Sequence, residues 1–295
     1  AMSFGQQVPG AVSHDGRLGA SWVGIAWLML SDIVGTSVLT FSGVTAKLGW
    51  APTVLLIVGL FPLSVYISVL MTRTRQLLVE IEHARSPLEP NAAIGTFGAV
   101  AQNCVGAPWV GNAVYLVVYG YTLLGQGSYV LVMGTSLQQA FWTSPVCLPQ
   151  ACAVTCIFLL GPLFVVRQLG ESVTLCLFNT LLISGVVVAA LVHIALEDLS
   201  SCADVHAIAP GLTSLTLLGQ MTNVVYSFSG QWMYFELMDI MAEPDHFPRT
   251  FTIVGPFLVG TYLVVALVGY VMGAGHDDLI ANMRPGITLR VVAAM

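Results

Sequence analysis

Seven stretches of roughly 20 residues pass with almost no charged position, at 21–46, 52–71, 110–137, 150–166, 172–194, 213–241 and 251–273. At 1.5 Å of rise per residue, a helix of that length crosses a hydrocarbon core about 30 Å thick, so the pattern predicts seven spanning helices. Alternation of period two with a turn signal every ten residues or so would signal a membrane barrel, and these apolar runs are too long and continuous for it. The milder segment 92–105 predicts a helix lying at the membrane interface ahead of the third span. Residues 1–20 are polar and Gly-rich and lack the cationic start, apolar middle and small-residue end of a secretory signal. They are expected to form a disordered cytoplasmic tail, and 274–295 an extracellular loop with the start of an eighth helix.

Composition strengthens this reading. Apolar residues make up 56% of the 295 and charged residues only 8%, against about a quarter charged in soluble domains. The fold class expected is therefore an all-α membrane protein. The net charge of -6, from nine cations and fifteen anions, sits mostly in short connections and forms no basic cluster that would hold nucleic acid. Cationic loops stay cytoplasmic. A cytoplasmic N-terminus places Arg17, Arg73, Arg75, Arg85, Arg167 and Arg249 inside and leaves Lys47, Arg284 and Arg290 outside, so that orientation is expected. The six cysteines include no CxxC pair, and neither a zinc site nor a redox motif is indicated. Cys104, Cys152, Cys156 and Cys176 read as packing residues. Cys147 and Cys202 fall in outward-facing loops, where an oxidising compartment would let them pair.

Two spans carry helix breakers near mid-depth. The first has Gly35, Thr36, Ser37, Val38 and Leu39; the sixth has Ser227, Phe228, Ser229, Gly230 and Gln231. Unpaired peptide groups are tolerated at membrane depth only beside a cavity or within protein. A single glycine usually serves close helix packing, but breaks in spans one and six match the pairing that a five-plus-five repeat requires, and such pairs point to a binding site. There one half-helix end offers N–H groups to a carboxylate and the opposing end offers carbonyls to a cation, which suits a zwitterionic amino acid.

In the third span Asn112, Tyr115, Tyr119, Thr122 and Gln126 recur at spacings of three and four and share one helical face. This stripe is expected to face the bundle interior, either lining a solute pathway, foremost through Tyr115 and Tyr119, or joining helices by hydrogen bonds. Together with Phe228, those tyrosines hint at neutral or apolar solutes. Asp32 and Glu236 are carboxylates inside spans, and both are candidates to carry a proton with the solute. For Glu236 a structural reading competes: with Asp239 and Glu243 it forms an acidic row at i, i+3 and i+7, open to pairing with loop arginines.

The stretch 32–50, DIVGTSVLTFSGVTAKLGW, resembles the first-helix signature of the amino acid/auxin permease family, usually close to GTGVLGLPYAFAKLGW. The stretch 226–248, YSFSGQWMYFELMDIMAEPDHFP, resembles its sixth-helix signature through Ser229, Gly230, Gln231, Glu236, Met241, Pro244, Phe247 and Pro248. The resemblance implies an inverted-repeat (5+5) helical bundle of the leucine-transporter type. It further implies symport of amino acids with a proton, or with sodium, across a plasma or vacuolar/lysosomal membrane, the substrate sitting between the broken helices. No cofactor is implied. Ser37, Thr40, Phe41, Ser42 and Gly43 stand where the family usually has Gly, Gly, Leu, Pro and Tyr, and Phe41 adds bulk near the expected site. Repeat one covers 21–194, and a second repeat from about 213 needs roughly 170 residues, of which about half are present. A chain truncated after about helix seven of eleven, with the second repeat incomplete, is the expectation.

Other functions are weighed by what they would require. A seven-helix receptor needs an outside N-terminus and an acidic-Arg-aromatic cluster after the third span, where QQAFWTSP follows Leu137. A membrane enzyme needs clustered nucleophiles, bases or metal ligands, whereas His14, His83, His193, His206, His246 and His276 are dispersed. A channel differs from a carrier in showing neither saturation nor accumulation against a gradient.

Overall fold

The computed structural model describes residues 19–85, 95–141, 146–165, 173–196 and 205–272. The expectations for residues 1–18 and for 273–295 lie outside these. Ten α-helices occupy the described residues, with no strand among them. The first expected span is two helices, α1 (Trp22–Ile33) and α2 (Phe41–Leu48), joined through a 3₁₀ turn at Thr36–Thr40. α3 (Trp50–Arg85) continues well past the expected end at residue 71, and α4 (Phe97–Val105) is the short helix expected before the third span. Next come α5 (Pro108–Ala140), α6 (Leu148–Val165) and α7 (Val173–Leu196). The sixth expected span is split into α8 (Ser214–Ser227) and α9 (Tyr234–Asp239), and α10 (Phe251–Val271) completes the set.

Local chemistry explains where helices begin. Ser21, Thr96 and Thr213 sit extended before α1, α4 and α8, and each side-chain oxygen accepts from an N–H in the first turn, satisfying a group that has no partner within the helix. Four segments are long and apolar enough to cross a membrane alone: Trp50–Ile81, Pro108–Gln138, Val173–Leu196 and Pro244–Val271. The pair Trp22–Ile33 and Ser37–Leu48 meets the same test together, bent by 48°. Leu148–Leu160 is apolar but shorter. Leu116, Val117, Leu123, Leu124, Ile157 and Phe158 on α5 and α6 are exposed, as side chains that meet lipid should be.

The core is built around the two split spans, which run antiparallel and are tied at both ends. At one end the extended Ala20 donates to the Ile240 carbonyl at 2.8 Å and accepts from the Ala242 N–H at 3.1 Å. At the other, the Leu48 carbonyl accepts from Ala209 N–H at 3.0 Å, while Ala51 N–H donates to the Ala207 carbonyl at 3.1 Å. Gly49 makes that second tie possible. Its φ is +93°, and a Cβ there would lie 2.5 Å from the Ala207 carbonyl oxygen, a conformation and a space suited to glycine. α10 packs along the first split span and meets the second where Tyr262 reaches Ser227 and Phe228, contributing Val254, Leu258, Tyr262, Val265 and Ala266 to the buried core.

Candidate functional site

Both breaks form where small hydroxyl residues offer the backbone an alternative to the helical ladder. After α1, Ser37 Oγ donates back to the Ile33 carbonyl at 3.3 Å and Thr40 Oγ1 to the Ser37 carbonyl at 2.8 Å. Gly35 leaves helical geometry, with ψ of -151°, and no side chain caps the turn that follows it. After α8, Ser229 Oγ donates to the Tyr226 carbonyl at 2.5 Å and Gln231 Nε2 to the Phe228 carbonyl at 2.9 Å.

The two breaks meet. A Cβ on Gly230 would stand 2.9 Å from Ile33 Cδ1, so the missing side chain lets the last residue of α1 rest against the second break. Tyr262, fully buried on α10, joins them chemically: its hydroxyl lies 2.9 Å from the Ile33 carbonyl and 2.9 Å from the Ser227 carbonyl, so its single proton is shared between the two. Phe41 stacks on that ring at 4.3 Å and Phe228 meets its edge at 5.5 Å. The bulk of Phe41 is therefore spent in the core, holding Tyr262, and not on the site as expected.

Above this junction lies a cavity of about 250 Å³ between the breaks and α5. Asp32, Ile33, Ser37 and Thr40 line it from the first span, and Asn223, Tyr226, Ser227, Ser229, Gly230 and Trp232 from the sixth. α5 closes it with Tyr121, Thr122, Gly125, Gln126, Ser128, Tyr129 and Val132. Tyr121 and Ser229 share a hydrogen bond of 2.6 Å, and Asn223 Nδ2 reaches Thr40 Oγ1 at 3.5 Å. Asp32 is the one charged side chain among these residues.

The residues singled out by sequence divide accordingly. Asp32, Ser37, Ser229 and Gly230 line the cavity. Gly35 is buried beside it, with a built Cβ 3.3 Å from the Tyr129 hydroxyl; Val38 is fully buried in the core, and Thr36 opens the 3₁₀ turn. Phe228 and Gln231 shape the second break without lining the cavity. The α5 stripe is only partly brought in: Thr122 and Gln126 reach the cavity, Tyr115 and Tyr119 do not. Tyr115 packs over Gly98 on α4 and bonds Thr96 at 2.5 Å, and Tyr119 is stacked on Tyr115 and 68% exposed. The inward face of α5 is instead set by Tyr121, Gly125 and Tyr129, spaced four apart. Tyr262 also escaped the sequence reading, although a tyrosine deep in an apolar helix needs a partner for its hydroxyl.

Glu236 sits on α9, away from the cavity. Its Oε1 accepts from the Phe97 N–H at 3.3 Å, and its Oε2 is buried with no hydrogen-bond partner among the described residues. The acidic row does find an arginine, Asp239 lying 3.7 Å from Arg75, and Glu243 contacts His246. Cys147 is exposed just before α6; Cys202 lies outside the described residues.

The described residues, all-helical with four segments and one bent pair able to cross a membrane, fit an integral multi-pass membrane protein in which two unwound segments face a shared polar cavity. Comparison with known families gives the class of transporter. The family model for transmembrane amino acid transporter proteins matches residues 19–275, and the chain belongs to that family. No curated protein and no solved structure matches it.

Proposed function

We propose that this protein is a secondary active symporter that carries amino acids by alternating access, the substrate held between the two broken spans. The observation that supports the reading most is the Tyr262 hydroxyl, whose one proton is shared between the end carbonyls of α1 and α8 beside the cavity. Rocking one broken span against the other would change the cavity and this junction together, which is what a carrier alternating around a central site requires. Ser37, Ser229 and Gly230 are the proposed contacts to substrate, with Gly35, Thr36 and Val38 supplying backbone at the first break. The uncapped turn at Thr36–Thr40 suits the substrate carboxylate.

A proton is the proposed coupling ion, in preference to sodium. Half-helix carbonyls are the usual cradle for sodium at such breaks, and here the Ile33, Tyr226, Ser227 and Phe228 carbonyls already accept from the protein's own donors. Of the two candidate carboxylates, Glu236 is the proposed proton carrier: it lies outside the cavity, and its Oε2 is buried without a hydrogen-bond partner among the described residues.

The test is uptake of radiolabelled amino acids into proteoliposomes under an imposed pH gradient. Accumulation that saturates, is unaffected by replacing sodium with choline and loses its response to the gradient in Glu236→Gln is the expected result. Equilibration without accumulation would make the protein a channel, and sodium dependence would remove the proton.

A further inference from the structure

Four carbonyls where α8 unwinds have donors within the protein. That of Val225 accepts from Phe228 N–H at 3.1 Å, that of Tyr226 from Ser229, that of Ser227 from Tyr262, and that of Phe228 from both Gly230 N–H and Gln231 Nε2. At the first break, the Ile33 carbonyl accepts from Tyr262 and Ser37. The sequence pattern alone predicts that such carbonyls receive the positive group of a zwitterion. In this protein five of these carbonyls, those of Ile33, Val225, Tyr226, Ser227 and Phe228, already have a donor within the breaks or on α10.

An ammonium entering a low-dielectric cavity still needs a counter-charge, since an unpaired buried charge costs several kcal/mol. Asp32 meets that need. It lines the cavity one residue before Ile33, makes no hydrogen bond or ion pair with any described side chain, and has no Lys, Arg or His among its fellow lining residues. An isolated carboxylate at membrane depth is itself costly, and a bound ammonium would relieve both groups at once. We infer that the Asp32 carboxylate is the receptor for the α-ammonium of the substrate, in place of the peptide carbonyls at the helix breaks. This rests on the proposed function and deepens it: the substrate class is solutes with a free amino group, and the proton-carrying role falls to Glu236.

The experiment measures thermal stabilisation of the purified chain in detergent by each of the twenty common L-amino acids. Every stabilising amino acid is then compared with the 2-hydroxy acid bearing the same side chain. On the unaltered chain, the hydroxy acid is expected to bind about 10- to 100-fold more weakly, the range for losing a charge-assisted hydrogen bond. Asp32→Asn should bind the amino acid weakly and abolish the preference, while Asp32→Glu should retain it. Equal binding of the two acids by the unaltered chain, or an undiminished preference in Asp32→Asn, would overturn the assignment and leave the carrier reading standing. Stabilisation by none of the twenty would overturn both.

Discussion

The break after Ile33 and the break after Ser227 are built from similar residues, Gly-Thr-Ser in one and Ser-Gly-Gln in the other, yet they do different things. The second seals itself: Ser229 and Gln231 turn back onto the carbonyls of Tyr226 and Phe228, leaving hydroxyl and glycine surfaces toward the cavity. The first turns Ser37 and Thr40 back onto carbonyls in the same way but also keeps a carboxylate, Asp32, on the cavity wall. One break supplies shape and the other supplies charge. The difference arises because hydroxyl and amide side chains can satisfy backbone groups locally, whereas an aspartate carboxylate, having no proton to give, can only wait for a donor.

Three substitutions probe this division, the largest effect first. Gly49→Ala attacks the tie that holds the two spans in register. A Cβ there would meet the Ala207 and Ile208 backbone at 2.5 and 2.7 Å in a residue with φ of +93°. Denaturation in detergent should show a loss of about 3 kcal/mol, combining backbone strain with overpacking, and a wild-type midpoint would mean that the two ends are not clamped there. Tyr262→Phe keeps the ring stacked on Phe41 but removes the donor shared by the breaks, and should cost about 1–3 kcal/mol for buried carbonyls left short of a partner. Loss of stability without any change in amino acid binding would show that the junction only supports the site. Tyr119→Ala, on the outward face of α5, should leave amino acid binding unchanged. A weakened affinity would restore the stripe that contains it as a lining face.

Both breaks, and the helices that flank them, were legible because clusters of Gly, Ser and Thr interrupting long apolar runs have few structural explanations in a membrane; of the seven expected spans, four segments and one bent pair are long and apolar enough to cross. Asp32 was legible for the same reason, as a carboxylate where charge is costly. The inward face of α5 was not, because that helix carries polar residues on more than one side. Tyr115 and Tyr119 follow the same spacing as lining residues would, but Tyr115 is turned toward Thr96 and the space over Gly98. Nothing in the spacing distinguishes a tyrosine satisfied by a neighbouring helix from one facing a cavity. The length of α3 was also hidden: its charged C-terminal part ends the apolar run but not the helix, and Arg75 stays there to meet Asp239. Tyr262 was visible only as one more aromatic in an apolar helix, and its importance comes from two carbonyls that lie 229 and 35 residues away in sequence.

The central claim is that both breaks face one cavity that takes up an amino acid. It is tested most directly by placing a cysteine at Ser37 or Ser229, in a background with the native cysteines replaced, and measuring the rate of reaction with a charged thiol reagent. Val117, exposed on α5 away from the cavity, serves as the control position. The account predicts that a stabilising amino acid slows the reaction at Ser37→Cys and Ser229→Cys alike and leaves Val117→Cys untouched. Protection at one break but not at the other, or at neither, would contradict it.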